Sequence, residues 1–330
     1  MLCDKHGRRV SYLRLSVTDR CNLRCRYCMP DGVDFINHDS IMRYEEMENL
    51  VALAVELGVE KIRLTGGEPF VRKGFVSFVE SILKKFPNLD VRVTTNGTLL
   101  KPEVPRLLDA GVKRINVSLD TLQREKFKVI TGRDGFSQVQ EGISAALDAG
   151  MQVKINTVAM RGVNDDELAD FVQLAKSYPL DLRFIEFMPV GGCNRWEADS
   201  VWTADEILEE INQYAELTEC ERRSETDGPA RLYRIENGLG RIGVISPLSN
   251  HFCASCNRLR VTATGHLRTC LFSDEQYALL PLLRDPEQGI EAVRKLILES
   301  NRVKPLGHEL LEERCRKEAV CDTRMSAIGG

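Results

Sequence analysis

Residues 12–28, YLRLSVTDRCNLRCRYC, constrain this chain more than any other segment. Tyr12–Val17 reads as a short strand, and the loop after it carries Cys21, Cys25 and Cys28 in a C-x3-C-x2-C pattern. Three thiolates this close can hold three irons of a four-iron cluster and leave the fourth iron without a protein ligand. A structural zinc site is the alternative, but it usually takes four ligands from paired C-x2-C turns. The triplet therefore indicates an iron–sulfur cluster.

The rest of the N-terminal part alternates between strand and helix patterns. Helical periodicity predicts Tyr44–Leu57, Phe75–Phe86, Phe136–Ala149 and Asp165–Ser177, the last with a capping box of Asn164 and Glu167. Six apolar, β-branched runs predict strands at Tyr12–Val17, Lys61–Thr65, Val91–Thr95, Arg114–Leu119, Val153–Val158 and Leu182–Phe187. Repeated strand–helix alternation implies a parallel sheet, because parallel neighbours need long crossovers. The predicted fold class is α/β, an incomplete (β/α)6 TIM-like barrel, with a doubly wound open sheet as the alternative.

Polar and glycine-rich residues follow four of the predicted strands. These strand exits are Thr65-Gly66-Gly67-Glu68-Pro69, Thr94-Thr95-Asn96-Gly97, Ser118-Leu119-Asp120 and Glu186-Phe187-Met188-Pro189. Sites in parallel α/β folds lie at the C-terminal ends of the strands. We therefore expect one site built from several elements at that end.

The pattern changes after Pro189. Short strands and helices predict a smaller C-terminal α+β region, which divides the chain into residues 1–189 and 190–330. This region carries Cys253, Cys256 and Cys270 in a C-x2-C-x13-C pattern. From spacing alone, a zinc site completed by His251 or His266 and an iron–sulfur cluster are equally plausible.

Composition bounds the class of protein. The chain has 330 residues, 43% hydrophobic and 28% charged, which is typical of a globular protein. No apolar run is long enough for a membrane span, and the N-terminus lacks a secretory pattern, so a cytoplasmic location is expected. The net charge of −4 argues against nucleic acid or a membrane as partner. The remaining cysteines are expected to be free thiols: Cys3, Cys193, Cys220, Cys315 and Cys321.

The first triplet resembles the signature of radical S-adenosylmethionine (SAM) enzymes. Tyr27 stands before the third cysteine, and Gly66-Gly67-Glu68-Pro69 is similar to the GGEP motif that binds the methionine amino group in that superfamily. The resemblance implies a [4Fe-4S] cluster whose open iron chelates SAM. It also implies SAM contacts from a small set of residues: Tyr27, Gly67, Ser118 and Met188.

The second triplet resembles the C-terminal motif of the MoaA family, the GTP 3′,8-cyclases of molybdenum cofactor biosynthesis. The similar segments are Phe252–Arg260 and Cys270-Leu271-Phe272. The resemblance implies a second [4Fe-4S] cluster whose open iron binds guanine, and a Gly329-Gly330 tail that enters the active site. It implies GTP contacts from Arg14, Arg63, Thr94, Lys154, Arg258, Leu259 and Arg260. Lys61 is a weaker candidate.

The cationic residues also have a physical argument. Arg258 and Arg260 alternate on a predicted strand, so both side chains point to the same face. Charged side chains such as Arg14 and Lys154 would be costly inside a sealed core. Arginine forks bind phosphate oxygens in pairs, which suits a triphosphate held by a net-acidic protein.

The resemblance implies a reaction and partners. A 5′-deoxyadenosyl radical abstracts the C3′ hydrogen of GTP, and the carbon radical attacks C8 to give (8S)-3′,8-cyclo-7,8-dihydro-GTP. The implied partners are an electron donor of flavodoxin or ferredoxin type and the downstream cyclic pyranopterin monophosphate synthase, with a homodimer possible. Two other functions remain as alternatives: a radical SAM peptide maturase with an auxiliary cluster, and a zinc-ribbon protein that binds nucleic acid. Three auxiliary cysteines, phosphate-suited arginines and the net charge disfavour both.

Overall fold

The computed structural model describes residues 1–29, 34–191, 197–221, 228–317 and 325–328. Fourteen strands lie in these ranges. They are β1 Leu2–Cys3, β2 Arg9–Val10, β3 Tyr12–Ser16, β4 Lys61–Thr65, β5 Asp90–Thr95, β6 Arg114–Ser118, β7 Gln152–Ala159, β8 Asp181–Glu186, β9 Leu217–Glu219, β10 Arg231–Ile235, β11 Arg241–Ile245, β12 Arg258–Val261, β13 His266–Arg268 and β14 Tyr277–Ala278.

Eleven α-helices lie in the same described ranges. They are α1 Tyr44–Glu56, α2 Phe75–Lys85, α3 Val104–Asp109, α4 Arg124–Thr131, α5 Phe136–Asp148, α6 Leu168–Ser177, α7 Ala204–Ile211, α8 Leu280–Arg284, α9 Gly289–Arg302, α10 Gly307–Arg316 and α11 Met325–Ile328. None of the described helices is long and apolar enough to cross a membrane.

Twelve strands form one sheet in the order β14-β13-β12-β3-β4-β5-β6-β7-β8-β11-β10-β9. The six predicted barrel strands are β3 to β8, and each pairs in parallel with the next. Within the described ranges the edge strands β14 and β9 do not pair with each other, so the barrel is incomplete as predicted.

The C-terminal region completes this sheet instead of standing apart from it. β12 pairs in parallel with β3, and β11 pairs in parallel with β8, at the two edges of the predicted barrel. The parallel part therefore has eight strands, two of them from beyond residue 190. Strands from residues 1–189 and from residues 190–330 share one sheet. The division of the chain at residue 190 therefore stays a prediction.

Side-chain alternation separates the helix-packed face of the sheet from the barrel interior. On β4, Ile62 and Leu64 belong to the hydrophobic core, whereas Lys61 and Arg63 line a central cavity. Helices cover the outer face with apolar stripes; α2 buries Phe75, Phe78 and other residues spaced three or four apart. The polar interior face is what makes room for a site.

The expected capping box at Asn164 and Glu167 was wrong. The Asn164 carboxamide accepts a hydrogen bond from the Met160 N–H at 2.9 Å and donates to the Asp120 carbonyl at 2.8 Å. Glu167 accepts from the Thr121 hydroxyl at 2.6 Å. Both side chains tie the exits of β6 and β7 together, and neither caps the helix.

Candidate functional site

The first cysteine triplet lies on the loop that follows β3. The Cys28 N–H donates to the Cys25 carbonyl at 3.0 Å, so the last two cysteines share a tight turn. The Arg24 and Arg26 N–H groups donate to carbonyls at the end of α4, at 2.7 and 3.0 Å. All three cysteine residues are partly exposed. The loop is therefore fixed by backbone contacts and lies partly at the surface.

Three other strand exits converge on this loop. After β5, the Asn96 amide donates to the Cys21 sulfur at 3.7 Å. After β6, Asp120 accepts a hydrogen bond of 2.6 Å from the Tyr27 hydroxyl. After β8, the Phe187 ring packs edge-on against the Tyr27 ring with centroids 6.4 Å apart. The strand exits therefore converge as expected, and the site that they would build stays a prediction.

Gly66 and Gly67, after β4, pack against the backbone of the cysteine loop. The Gly67 N–H donates to the Thr18 carbonyl at 2.7 Å. A Cβ on Gly67 would lie 2.4 Å from the Arg20 carbonyl oxygen, and one on Gly66 would lie 2.4 Å from the Thr18 carbonyl oxygen. Only residues without a side chain fit this contact.

Glu68 joins two of the strand exits from a fully buried position. Its carboxylate accepts from the Thr95 hydroxyl at 2.8 Å and from the Asn96 N–H at 2.6 Å. Burial raises its pKa to about 7, although these hydrogen bonds lower it. Glu68 thereby fixes Asn96, which contacts Cys21.

A cavity of about 1190 Å³ occupies the barrel interior. Its wall follows ladders of paired residues on neighbouring strands. One ladder runs Arg260–Arg14–Arg63–Arg92 across β12, β3, β4 and β5. A second runs Thr94–Asn116–Lys154–Asp181–Arg241 across β5, β6, β7, β8 and β11. All nine residues line the cavity.

Hydrogen bonds fix Arg63 in the first ladder. The Arg63 Nε donates to the Tyr12 hydroxyl at 2.5 Å, and its Nη1 donates to the Thr94 hydroxyl at 3.1 Å. Burial alone would raise the pKa of Tyr12, but the charges of Arg63 and Arg14 lower it to about 7. Burial lowers the pKa of Arg14 to about 9. The clustered cations leave this wall strongly positive.

One carboxylate holds the cations of the second ladder. Asp181 lies 3.3 Å from the Lys154 ammonium, 3.2 Å from Arg183 and 2.7 Å from Arg241. Burial, together with the charge of Arg183, lowers the pKa of Lys154 to about 7. Asp181 thus holds three cations, all of which line the cavity.

The second cysteine triplet lines the same cavity as these cations. Burial would raise the pKa of Cys256, but Lys304 and Arg258 lower it to about 6. The Lys304 ammonium donates to the Arg258 carbonyl at 2.8 Å. A Cβ on Gly307 would lie 2.7 Å from the Cys270 sulfur, so α10 begins in contact with the triplet. The thiolate form needed by a metal is favoured at Cys256.

The sulfurs of each triplet lie farther apart than a tetrahedral zinc site requires. Tetrahedral zinc with bonds of about 2.3 Å requires sulfurs about 4 Å apart. Among the described residues, the three sulfurs of neither triplet lie within 4.8 Å of one another.

The histidines near the second triplet do not improve the case for zinc. His251 and His308 come within 4.8 Å of Cys253, but their rings stack with an angle of 14° between planes. The lone pairs of nearly parallel rings do not converge on one ion. The other candidate, His266, has its Nδ1 2.9 Å from the Thr264 hydroxyl.

The structure places most of the expected GTP-binding residues together. Cavity-lining positions are taken by Arg14, Arg63, Thr94, Lys154, Arg258 and Arg260, together with Met188, Cys253, Cys256 and Cys270. Leu259 differs, because its side chain lies in the hydrophobic core and the residue does not line the cavity. Gly329 and Gly330 lie outside the described residues.

The expected SAM-binding residues divide between two places. Met188 lines the cavity, whereas Tyr27, Gly67, Ser118 and the first triplet do not. Those residues lie beyond or at the C-terminal ends of the strands. Sequence reasoning missed cavity residues that include Tyr12, Arg92, Asn116, Asn156, Asp181 and Arg183. Alternation along β3, β5, β6 and β7, extended from the predicted residues on those strands, could have identified the first four. Asp181 and Arg183 lie on β8, where no predicted site residue shares their face of the strand.

Two family models match the chain. Residues 15–175 match the Radical SAM superfamily, and residues 180–310 match Molybdenum Cofactor Synthesis C. A curated relative from Syntrophomonas wolfei, named GTP 3′,8-cyclase, is 48% identical over 94% of this chain and 95% of its own length. A relative of the same name from Geobacter sulfurreducens is 45% identical over 100% of this chain and 99% of its own length.

A solved structure shares the fold at low identity. Streptococcus suis SuiB, crystallised with S-adenosylmethionine, matches with a TM-score of 0.59 and 14% identity. The match covers 88% of this chain and 69% of that chain. This similarity supports the incomplete barrel and says nothing about the substrate.

Proposed function

This chain belongs to the GTP 3′,8-cyclase family of radical SAM enzymes, and from that membership we propose how its residues divide the reaction. The reaction converts GTP to (8S)-3′,8-cyclo-7,8-dihydro-GTP in molybdenum cofactor biosynthesis. When bound, a radical SAM cluster would supply the electron that cleaves SAM to methionine and the 5′-deoxyadenosyl radical. That radical would take the ribose C3′ hydrogen to form 5′-deoxyadenosine, and C3′ would bond to guanine C8. One further electron from the donor and one proton would convert the resulting base radical to the 7,8-dihydro product. The protein orients both substrates and excludes water.

We assign the first cluster to Cys21, Cys25 and Cys28. Tyr27, Gly67, Ser118 and Met188 would bind SAM around it, at the C-terminal ends of the strands. Two contacts support this assignment: Gly67 packs on the loop backbone, and Asp120 holds the Tyr27 hydroxyl. Each contact fixes the position of the cysteine loop relative to the end of a neighbouring strand.

We assign GTP to the barrel cavity. The observation that carries this assignment is that the second triplet and both cationic ladders line one cavity. Cys253, Cys256 and Cys270 would hold a second [4Fe-4S] cluster, which supplies an open iron for guanine. The triphosphate would be bound by Arg14, Arg63, Thr94 and Lys154. Arg258 and Arg260 lie along the cavity wall between these residues and the second cysteine triplet. Leu259 would contribute its backbone alone.

The test of this assignment is an anaerobic incubation with GTP, SAM and dithionite. We expect 5′-deoxyadenosine and a cyclised nucleotide in equal amounts. 5′-Deoxyadenosine formed at the same rate without GTP, and no cyclised nucleotide with it, would contradict the assignment. The peptide-maturase alternative is not favoured, because relatives that match the whole chain are named GTP 3′,8-cyclase.

Replacing Arg260 by alanine should weaken GTP binding by about tenfold or more, since hydrogen bonds to charged groups are among the stronger ones in proteins. Arg260 is buried, and its Nε has no hydrogen-bond partner in the described part of the chain. SAM cleavage should remain measurable but uncoupled from cyclisation. Titration with GTP measures the loss, and Arg106→Ala, on the outer surface beside Glu80, is the control. An unchanged GTP affinity removes Arg260 from the site.

The affinity for GTP should fall as the pH rises from about 6.5 to about 8.5. With a pKa of about 7, Lys154 loses its positive charge over this range. Tyr12, also near 7, gains a negative charge. Both changes oppose an anionic ligand, and the combined loss should be roughly tenfold. Lys154→Arg should flatten the profile, because arginine stays protonated. A Lys154→Arg profile as steep as that of the unaltered protein would show that Lys154 does not titrate in this range.

The remaining partners are proposed from the reaction. A one-electron donor of flavodoxin or ferredoxin type must reduce the first cluster, and cyclic pyranopterin monophosphate synthase would use the product. Thiolate-held clusters suit a reducing compartment, which supports a cytoplasmic location. α11 also supports a role for the Gly329-Gly330 tail, because Met325 lines the cavity and Ile328 is buried beside Cys270. A homodimer stays a proposal.

A further inference from the structure

A patch of positive charge surrounds the loop of the first triplet. It consists of Arg20 and Arg26 on the cysteine segment and of Lys128 and Arg133 at the end of α4, and all four side chains are exposed. None of the four makes an ion pair with another described residue. In a chain of net charge −4, such a local excess is not explained by composition. We call these four residues the basic patch.

Backbone contacts join the two halves of the basic patch. The Arg26 N–H donates to the Ile130 carbonyl at 3.0 Å, and the Arg24 N–H donates to the Thr131 carbonyl at 2.7 Å. A Cβ on Gly132 would lie 3.0 Å from the Arg24 carbonyl oxygen. Arg133 follows this contact directly. The two segments that carry the positive charges therefore pack against each other at the loop of the first triplet.

Apolar side chains are exposed within the same area. Phe35 is 38% exposed, and its ring lies 5.7 Å from the Arg20 guanidinium carbon and 5.1 Å from that of Arg24. Val129, between Lys128 and Ile130 on α4, is 51% exposed. The acidic Asp134 nearby is already paired with Arg124 at 2.8 Å. Exposed apolar side chains beside a cluster of like charges are typical of surfaces that bind an oppositely charged protein.

We propose that the basic patch is the docking surface for an acidic one-electron carrier protein. The inference rests on the proposed function, which requires an external electron for the first cluster. Small, transient, charge-steered contacts are usual between redox partners. Docking here brings the carrier's cofactor to the partly exposed cysteine loop. One electron then passes from the carrier to the cluster, so the carrier is oxidised and the cluster is reduced by one electron. No covalent bond forms or breaks, and no proton moves.

The test compares a protein donor with a small chemical donor. The cluster-loaded protein is mixed in a stopped-flow instrument with photochemically reduced bacterial flavodoxin or with dithionite, and the bleaching of the cluster is followed. In Lys128→Glu/Arg133→Glu, reduction by flavodoxin should slow at least about tenfold at low salt, because electrostatic steering raises association rates by that factor or more. Dithionite reduction and GTP affinity should stay unchanged, since neither residue belongs to the site.

A charge-matched variant excludes a general electrostatic effect. Lys84→Glu/Lys113→Glu makes the same change in net charge at exposed positions, at the end of α2 and before β6. It should leave reduction by flavodoxin within about twofold of the unaltered protein. Raising the salt concentration from about 0.05 M to about 0.5 M should slow the reduction of the unaltered protein by flavodoxin. At the higher salt concentration, the unaltered protein and the patch variant should be reduced at similar rates.

Two outcomes overturn the docking proposal. One is a patch variant reduced by flavodoxin as fast as the unaltered protein at low salt. The other is an equal loss with flavodoxin and with dithionite, which would mean that the substitutions act on the cluster itself. A protein that cleaves SAM with dithionite but forms no cyclised nucleotide would contradict the proposed function and leave the docking result readable.

Discussion

Alanine in place of Gly67 should reduce SAM cleavage by about a hundredfold or more, which corresponds to about 3 kcal/mol of lost positioning. The added Cβ would lie 2.4 Å from the Arg20 carbonyl oxygen and 2.6 Å from that of Asp19. Both contacts are with backbone atoms, so the loop of the first triplet must move away from the end of β4. A displaced loop misplaces the cluster and the methionine group together.

Gly162→Ala is the control for this substitution. Gly162 has φ of +70°, so alanine there is strained, but no atom lies within 4 Å of the added Cβ. It should cost stability by about 1 kcal/mol and leave SAM cleavage intact. The measurement is 5′-deoxyadenosine formed with dithionite, together with GTP affinity as a test of folding. SAM cleavage by Gly67→Ala at the rate of the Gly162→Ala control contradicts the packing argument.

Replacing Cys256 by serine should abolish the cyclised nucleotide while SAM cleavage continues. Cys256 is the second-triplet cysteine whose pKa is lowered to about 6, since Lys304 and Arg258 outweigh the effect of burial. Serine does not supply a thiolate, so the second cluster should be lost. The iron content should then fall from about eight to about four per chain, because each cluster holds four irons.

Cys3→Ser controls for the loss of a thiol as such. Cys3 is exposed on β1 and belongs to neither triplet. It should keep the full iron content and form the cyclised nucleotide at the normal rate. Cyclised nucleotide formed by Cys256→Ser at the rate of Cys3→Ser would exclude a role for the second cluster in the reaction.

The sequence was informative about the parts that local patterns control. All six predicted barrel strands exist, and the observed ends differ from the predicted ends by one residue at most. The strand exits converge as expected, because the C-terminal ends of parallel strands share one edge of a sheet. Alternation also placed Arg258 and Arg260 on one face, and both line the cavity.

Pairing between distant segments was beyond sequence reasoning. No local pattern indicates that β12 pairs with β3 and β11 with β8, although these contacts close the wall around the cavity. Asp181 was missed for the same reason, because its three cationic neighbours come from β7, β8 and β11. The capping box failed because tertiary contacts recruited both side chains.

The central claim is that two four-iron clusters serve one barrel, the first for SAM and the second for GTP. Metal analysis of anaerobically prepared protein tests it most directly. The account predicts about eight irons per chain and no stoichiometric zinc, with about four irons remaining when either triplet is replaced by alanine. Four irons together with one zinc in the unaltered protein would show that the second triplet is a zinc site and would contradict the account.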